Sequence, residues 1–432
     1  MTLLKGKKLW LPLIAASLVF SLAGCGGNSA ESESESTNTK DPVTITFSFD
    51  QGIGKPAQTL VDEYNASQDK YVVKTKILPQ DANVVHDDFV NKLASGDKSV
   101  DVMALDVVFV AEFAAAEWLT DLTPYFDQAT QDKYLPGTIE TATYNDKLVA
   151  FPWFTNASAL FYRKDVLDQL GIEPPTTYQG WMDLQSKVQG MNDIQYTGVF
   201  QAALSEALVC NWVEYVANNG GEVLDASGKP VVNSENNIEA TQIMLDMVKN
   251  HAPEGVTTYT EPESEQVFLD GKALFIRDWS GFWSQANKEG SKVKDKVGVT
   301  ALPVGPKGTE GHSTLGGLNL VINKYIDDEH KEAAVDFIKY LSSESVQKKM
   351  NLIAAQPPVL KAVYQDPEVL KANPFYADFY NIILNGKARP MSPQYSRVSD
   401  SIQTNIHAAL SDHIDVKTAL DNIQSDLEAL SK

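Results

Sequence analysis

The stretch VTITFSFDQGIGKPAQTLVDEYNAS occupies residues 43–67, and YVVKTKIL follows at 71–78. Val43, Ile45, Phe47 and Phe49 alternate with Thr44, Thr46 and Ser48, the two-residue period of a strand. Residues 56–67 read as a helix, with Pro56 near its first turn and Leu60, Val61 and Tyr64 on one face. Residues 71–78 make a second strand, and residues 83–94 a second helix that stops at Ser95-Gly96. The short apolar run at 102–105 has the character of a strand buried on both faces. Strand, helix, strand, helix and strand in this order predict an open α/β sheet.

The pattern returns further on with more helix. Strands are expected at 197–200, 273–276, 297–301 and 318–323, and helices at 236–250, 329–341, 398–410 and 416–430. The last carries Val416, Leu420, Ile423, Leu427 and Leu430 at helical spacing, a face for docking. Pro357-Pro358 and residues 386–393 punctuate the C-terminal third as loops.

Before residue 41 the chain has another character. Lys5, Lys7 and Lys8 precede an apolar stretch at 9–21, too short to span a membrane. It ends in Leu22-Ala23-Gly24-Cys25, which resembles the lipobox of bacterial lipoproteins. Residues 1–24 are therefore expected to be a signal peptide, with Cys25 as the lipidated first residue of the mature chain. Residues 25–40 hold almost nothing that can be buried and read as a flexible tether. No later run is long and apolar enough to cross a bilayer. The folded part, about 390 residues from Asp41, is too long for one core and suggests two lobes.

Charge and cysteine content narrow the function. With 36 Lys and Arg against 57 Asp and Glu, the formal net charge is −21. That argues against a nucleic-acid partner and disfavours an anionic ligand. Cys210 is the one cysteine besides Cys25 and reads as a small buried residue.

Signals for catalysis are weak. Gly52-x-Gly54-x-x-Ala57 matches a dinucleotide fingerprint formally, but Pro56 removes an N–H that would face phosphate. It reads as a strand-to-helix turn, which can still touch a ligand. There is no nucleophile elbow, P-loop or His-Glu-x-x-His. The six histidines are scattered and are expected at the surface. No cofactor and no metal is expected, and no enzymatic activity. Carboxylates paired only in space leave a secreted glycosidase as an alternative.

Two segments suit a sugar, which needs planes to stack on and groups that bind hydroxyls. One is Phe151-Pro152-Trp153-Phe154-Thr155-Asn156; the other is Arg277-Asp278-Trp279-Ser280-Gly281-Phe282-Trp283.

The folded part resembles the extracellular solute-binding proteins of ABC importers, the family that includes maltose- and trehalose/maltose-binding proteins. An ordered set of segments carries the resemblance. They begin with Asp101-Val102-Met103-Ala104-Leu105-Asp106 and Ala159-Leu160-Phe161-Tyr162-Arg163-Lys164-Asp165. Asn218-Asn219-Gly220-Gly221, Leu315-Gly316-Gly317-Leu318-Asn319 and Ala388-Arg389-Pro390-Met391-Ser392-Pro393-Gln394-Tyr395 follow.

The resemblance implies a two-lobed, hinged α/β fold of periplasmic-binding-protein type II. The N-lobe would be 41–154 plus 316–373, and the C-lobe 155–315 plus 374–432. It implies ligand contacts from Asp106, Asn156, Glu206, Trp279, Gly281, Gly317 and Arg389, with Trp279 as a stacking plane. Relatives that bind trehalose and maltose often have Trp after Gly-Gly, where this chain has Leu318. The implied protein is a monomer, lipid-anchored on the extracellular face of the cell membrane. It would capture a di- or oligosaccharide and deliver it to ABC permease subunits. A polyol or other glycoside is the alternative ligand.

Overall fold

The computed structural model describes residues 41–79, 82–225 and 227–430. The signal peptide, Cys25 and the tether lie outside the described residues. The described residues form ten strands: β1 (Val43–Asp50), β2 (Tyr71–Leu78), β3 (Val102–Asp106), β4 (Thr143–Tyr144), β5 (Lys147–Leu148), β6 (Phe151–Arg163), β7 (Tyr196–Val199), β8 (Ala273–Trp279), β9 (Val297–Thr300) and β10 (Leu315–Ile322). Strands β4 and β5 form a small hairpin. The others form one sheet in the order β2-β1-β3-β10-β6-β8-β7, with β9 on β6.

The expected βαβαβ start is present. β1 runs parallel to β2 and β3, joined by the helices Gly54–Ser67 and Ala82–Ala94. Ser48 lies on the polar side of the alternation, yet it is as buried as Phe47 and Phe49. The strand is covered on both faces, one of them by the helix Asp328–Leu341, whose Phe337 ring sits 5.3 Å from that of Phe47.

β6 organises the fold. Phe151 to Ala157 pair with β10, whereas Ser158 to Arg163 pair with β8 and β9. One 13-residue strand thus passes from one half of the sheet to the other. Two hydrophobic cores lie along it. The first holds Phe47, Trp153 and Phe337; the second holds Trp181, Trp212, Met244 and Leu420. This is the two-lobed α/β architecture. The C-terminal helix Val416–Leu430 docks through Val416, Leu420, Ile423 and Leu427, with Leu430 at the margin.

Two elements escape sequence periodicity. β6 is buried almost throughout and contains Pro152, and its polar residues Thr155, Asn156 and Ser158 keep no two-residue period. The helix Glu206–Asn218 buries ten of its 13 residues, and its polar stripe of Asn211, Glu214 and Asn218 is itself buried. His86 departs from its expected surface position. Its side chain is 12% exposed, its ring centroid is 4.5 Å from that of Phe109, and Nε2 lies 3.1 Å from Glu112 Oε1.

Candidate ligand-binding site

Strands β1 and β3 end in Asp50 and Asp106 at the carboxyl edge of the parallel strands, the edge at which open α/β sheets bind ligands. Asp106 Oδ1 accepts the Val108 N–H at 3.1 Å and caps the turn that follows. The same oxygen accepts Arg389 Nη2 at 3.2 Å. Arg389 Nη1 donates to Glu206 Oε1 at 2.8 Å. Glu206 opens the helix Glu206–Asn218, where a carboxylate also suits the helix dipole. It accepts the hydroxyls of Tyr395 and Ser399 as well. The Arg389 side chain is 3% exposed, so one buried guanidinium ties two carboxylates from distant segments.

Asp50, Gly52, Asp106, Phe109, Phe154, Asn156, Gly317, Leu318 and Gln356 line one cavity of about 330 Å³. Asp50 Oδ1 accepts the Gly52 N–H at 2.7 Å. Burial pushes the Asp50 carboxyl above its ordinary range, and the charge of Asp106 pushes it further. Asn156 Oδ1 accepts Ser280 Oγ at 2.6 Å, which fixes the orientation of the amide. Gly317 has φ +118°, and a Cβ there would stand 2.3 Å from the Phe154 carbonyl oxygen. Glycine lets β10 lie against β6 at that point, just before the register shift between Leu318 and Asn319.

Trp279 ends β8 opposite Ser158 and is half-buried. The six-membered part of its ring lies 3.5 Å from where a Gly316 Cβ would be, and the Arg277 guanidinium carbon is 4.4 Å from the ring centroid. Gly281 caps the short helix Phe282–Ala286. Neither Trp279 nor Gly281 lines the cavity. Of the seven expected residues, Asp106, Asn156 and Gly317 share that cavity, and Arg389 and Glu206 join it through Asp106.

Asp50 and Gln356 were missed in the sequence. Asp50 had a signal, since it ends the first strand just before the glycine-bearing turn. Gln356 had none; it arrives after Ala355, which closes a helix in left-handed conformation at φ 52°.

Arg389 also lines a larger cavity of about 610 Å³ with Glu214, His312 and Thr314. Size alone would favour it. It is built from the segments that join the two halves of the sheet, however, and the strand-end carboxylates Asp50 and Asp106 belong to the smaller cavity.

The family of bacterial extracellular solute-binding proteins matches residues 50–348 of this chain. The chain belongs to that family. It is 32% identical over 383 residues to a "Probable ABC transporter-binding protein" of Deinococcus radiodurans, covering 85% of this chain and 89% of the relative. The solved structure of maltose-bound T. maritima MalE3 is similar at 38% identity and a TM-score of 0.83, over 90% of this chain and all of that one (100%). A solute-binding protein of Agrobacterium radiobacter K84 in complex with ribitol is similar at 26% identity and a TM-score of 0.81, over 90% and 99% of the two chains. This solute-binding protein thus has the family and fold of the binding components of ABC transporters. That role brings a small-molecule ligand and permease partners. No described helix is long and apolar enough to cross a membrane.

Proposed function

We propose that this solute-binding protein captures a neutral sugar in the cavity at Asp50 and Asp106 and delivers it to its permease. The pairing of those two carboxylates in one cavity carries the reading. Carboxylates accept the hydroxyl hydrogens of a sugar, and the amides of Asn156 and Gln356 both donate and accept. Phe109 and Phe154 offer apolar surface to the C–H faces. The two acids, only one of which has a cation beside it, disfavour an anionic ligand. Maltose in a 38% identical structure supports a di- or oligosaccharide of the maltose or trehalose kind.

A polyol or single sugar is the second reading. It is favoured by a cavity near the lower end of the ~300–1,000 Å³ range of small-molecule sites. It is favoured also by Leu318 on the cavity wall and by the ribitol-bound neighbour.

The protein works by binding alone. In this reading the N-lobe is 41–154 plus 316–373 and the C-lobe 155–315 plus 374–432, and Arg389 joins ligand groups of both. The lobes close around the ligand as a hinge. Cys25 carries the lipid that holds a monomer at the extracellular face of the membrane, beside its permease. Trp279 and Gly281 complete the site when the lobes close.

The test is a thermal-shift titration of the chain with maltose, trehalose, ribitol, mannitol and tagatose. A ligand that binds only the folded state raises the melting temperature by mass action. A rise with one of them that Asp106→Asn abolishes supports the reading. No rise with any carbohydrate or polyol overturns it.

A further inference from the structure

The most heavily bonded buried carboxylate of the described residues lies outside the cavity just assigned to the ligand. Glu214 sits in the helix Glu206–Asn218 and is 3% exposed. Its Oε1 accepts Arg277 Nη2 at 2.5 Å, Ser158 Oγ at 2.6 Å and the Thr314 N–H at 3.1 Å. Its Oε2 accepts Arg277 Nε at 2.8 Å.

These donors mark the joints of the molecule. Ser158 is the first β6 residue to pair with β8 rather than β10. Thr314 directly precedes Leu315, which pairs with Ala157 at the start of β10. A third segment is bonded here too: Leu315 N–H donates to Lys387 O, and Lys387 N–H to Ser313 O, both at 2.8 Å. Residues 387–389 then lead directly to Arg389. The remaining donor residue, Arg277, lies against Trp279. One carboxylate therefore touches two of the passages between the halves of the sheet, borders the third, and holds the cation under the Trp279 ring.

We propose that Glu214 and Arg277 are positioning residues that fix the Trp279 plate relative to the hinge, so that ligand contact and lobe closure are coupled. This rests on the sugar-binding reading for Trp279, but its hinge half does not. A buried ion pair adds little net stability over an apolar replacement of the same shape, so what this pair contributes is geometry. The planar guanidinium suits the role: its fork fixes two bonds to Glu214 while its face stays on the indole. With the carboxylate anchored at Ser158 and Thr314, Arg277 and Trp279 stay at fixed distance from the axis about which the lobes turn.

Two measurements on the full chain test this. Amide hydrogen exchange is followed at residues 314, 315 and 387 and in the core strands β1 and β3. Glu214→Gln keeps the shape and removes the charge; Asp165→Asn makes the same kind of change at the ion pair of the buried Arg163, at the far end of β6, and serves as the destabilised control. Glu214→Gln is expected to speed exchange at 314, 315 and 387 with β1 and β3 unchanged, and Asp165→Asn to leave those three amides alone. Equal exchange in Glu214→Gln and the parent chain overturns the proposal, as does acceleration spread evenly over the molecule. The second measurement is affinity for the best carbohydrate of the thermal-shift panel. Glu214→Gln and Arg277→Lys are expected to weaken it about tenfold or more, within the usual range of coupling, with Asp165→Asn near the parent value. Affinities like the parent's in both variants overturn the coupling. If no carbohydrate binds the parent chain, the sugar reading fails, and the exchange measurement still decides the hinge role.

Discussion

Arg389 Nη2 stands 3.2 Å from Asp106 Oδ1, although 283 residues separate the two in the chain. The guanidinium is buried between Asp106 and Glu206, so removing it leaves two carboxylates facing each other without a cation. Arg389→Met is expected to destabilise the ligand-free protein by about 1–3 kcal/mol, the cost of leaving partly buried acceptors without their donor. A lowered urea midpoint at unchanged slope would show this. A midpoint equal to the parent's would mean that the triad is solvated.

Asp50 makes an opposite-signed prediction. Its folded-state pKa is raised by burial and by Asp106, so its ionised form costs the native state above the ordinary carboxylate range. Asp50→Asn keeps an oxygen for the Gly52 N–H and removes the charge. The melting temperature of the ligand-free protein at pH 7 is expected to rise. Sugar affinity is expected to fall, by about 1.5–3 kcal/mol for a lost charge-assisted hydrogen bond. Calorimetric titration and a thermal melt, run on the same sample, check the pair of signs.

Glu265 gives the stability of the protein a pH dependence. Burial, and then the neighbouring Glu261, push its carboxyl up to about 7 from 4.5. Between those values the folded chain holds a proton that the unfolded chain has released, so stability falls as pH rises through the window. Acidifying from pH 8 to 5.5 is therefore expected to recover stability, and Glu265→Gln to flatten that slope. Parallel pH profiles of the two proteins would refute the assignment.

Gly317→Ala places a methyl group 2.3 Å from the Phe154 carbonyl oxygen at φ +118°. Backbone strain of this kind costs about 1–3 kcal/mol before the clash is counted. The expected outcome is a large drop in melting temperature with Gly281→Ala as a mild comparison, since a Cβ at Gly281 meets nothing within 4 Å.

Much of this fold was legible because its elements keep a period. The sequence alternation of β1, the helix Glu235–Asn250 and the C-terminal helix each set apolar residues on one face and polar ones on the other. β6 and the helix Glu206–Asn218 were not legible for the reason that makes them central. Each is enclosed on all sides, and full burial erases the alternation by which a sequence announces strand or helix. The site divides the same way. Asp106 could be placed at a strand end by local reasoning. Its bond to Arg389 could not, because nothing near either residue encodes a contact over 283 positions. Trp279 is a stacking plane only by the resemblance, whereas what holds it is seen in space: Arg277 lies against its ring and Glu261 accepts its Nε1–H, 3.4 Å away.

The handover within β6 has a consequence for inheritance. A lobe that occupied one continuous stretch could be exchanged between relatives by a single crossover event. Here the strand that ends one half of the sheet begins the other, and residues 314–315 and 387 stitch the same seam again. Any recombinant that takes a new ligand specificity from a cousin must therefore match its parent at all three stitches. New specificities in such a molecule are expected to arise by point changes on the cavity wall, at positions such as Leu318, rather than by shuffling.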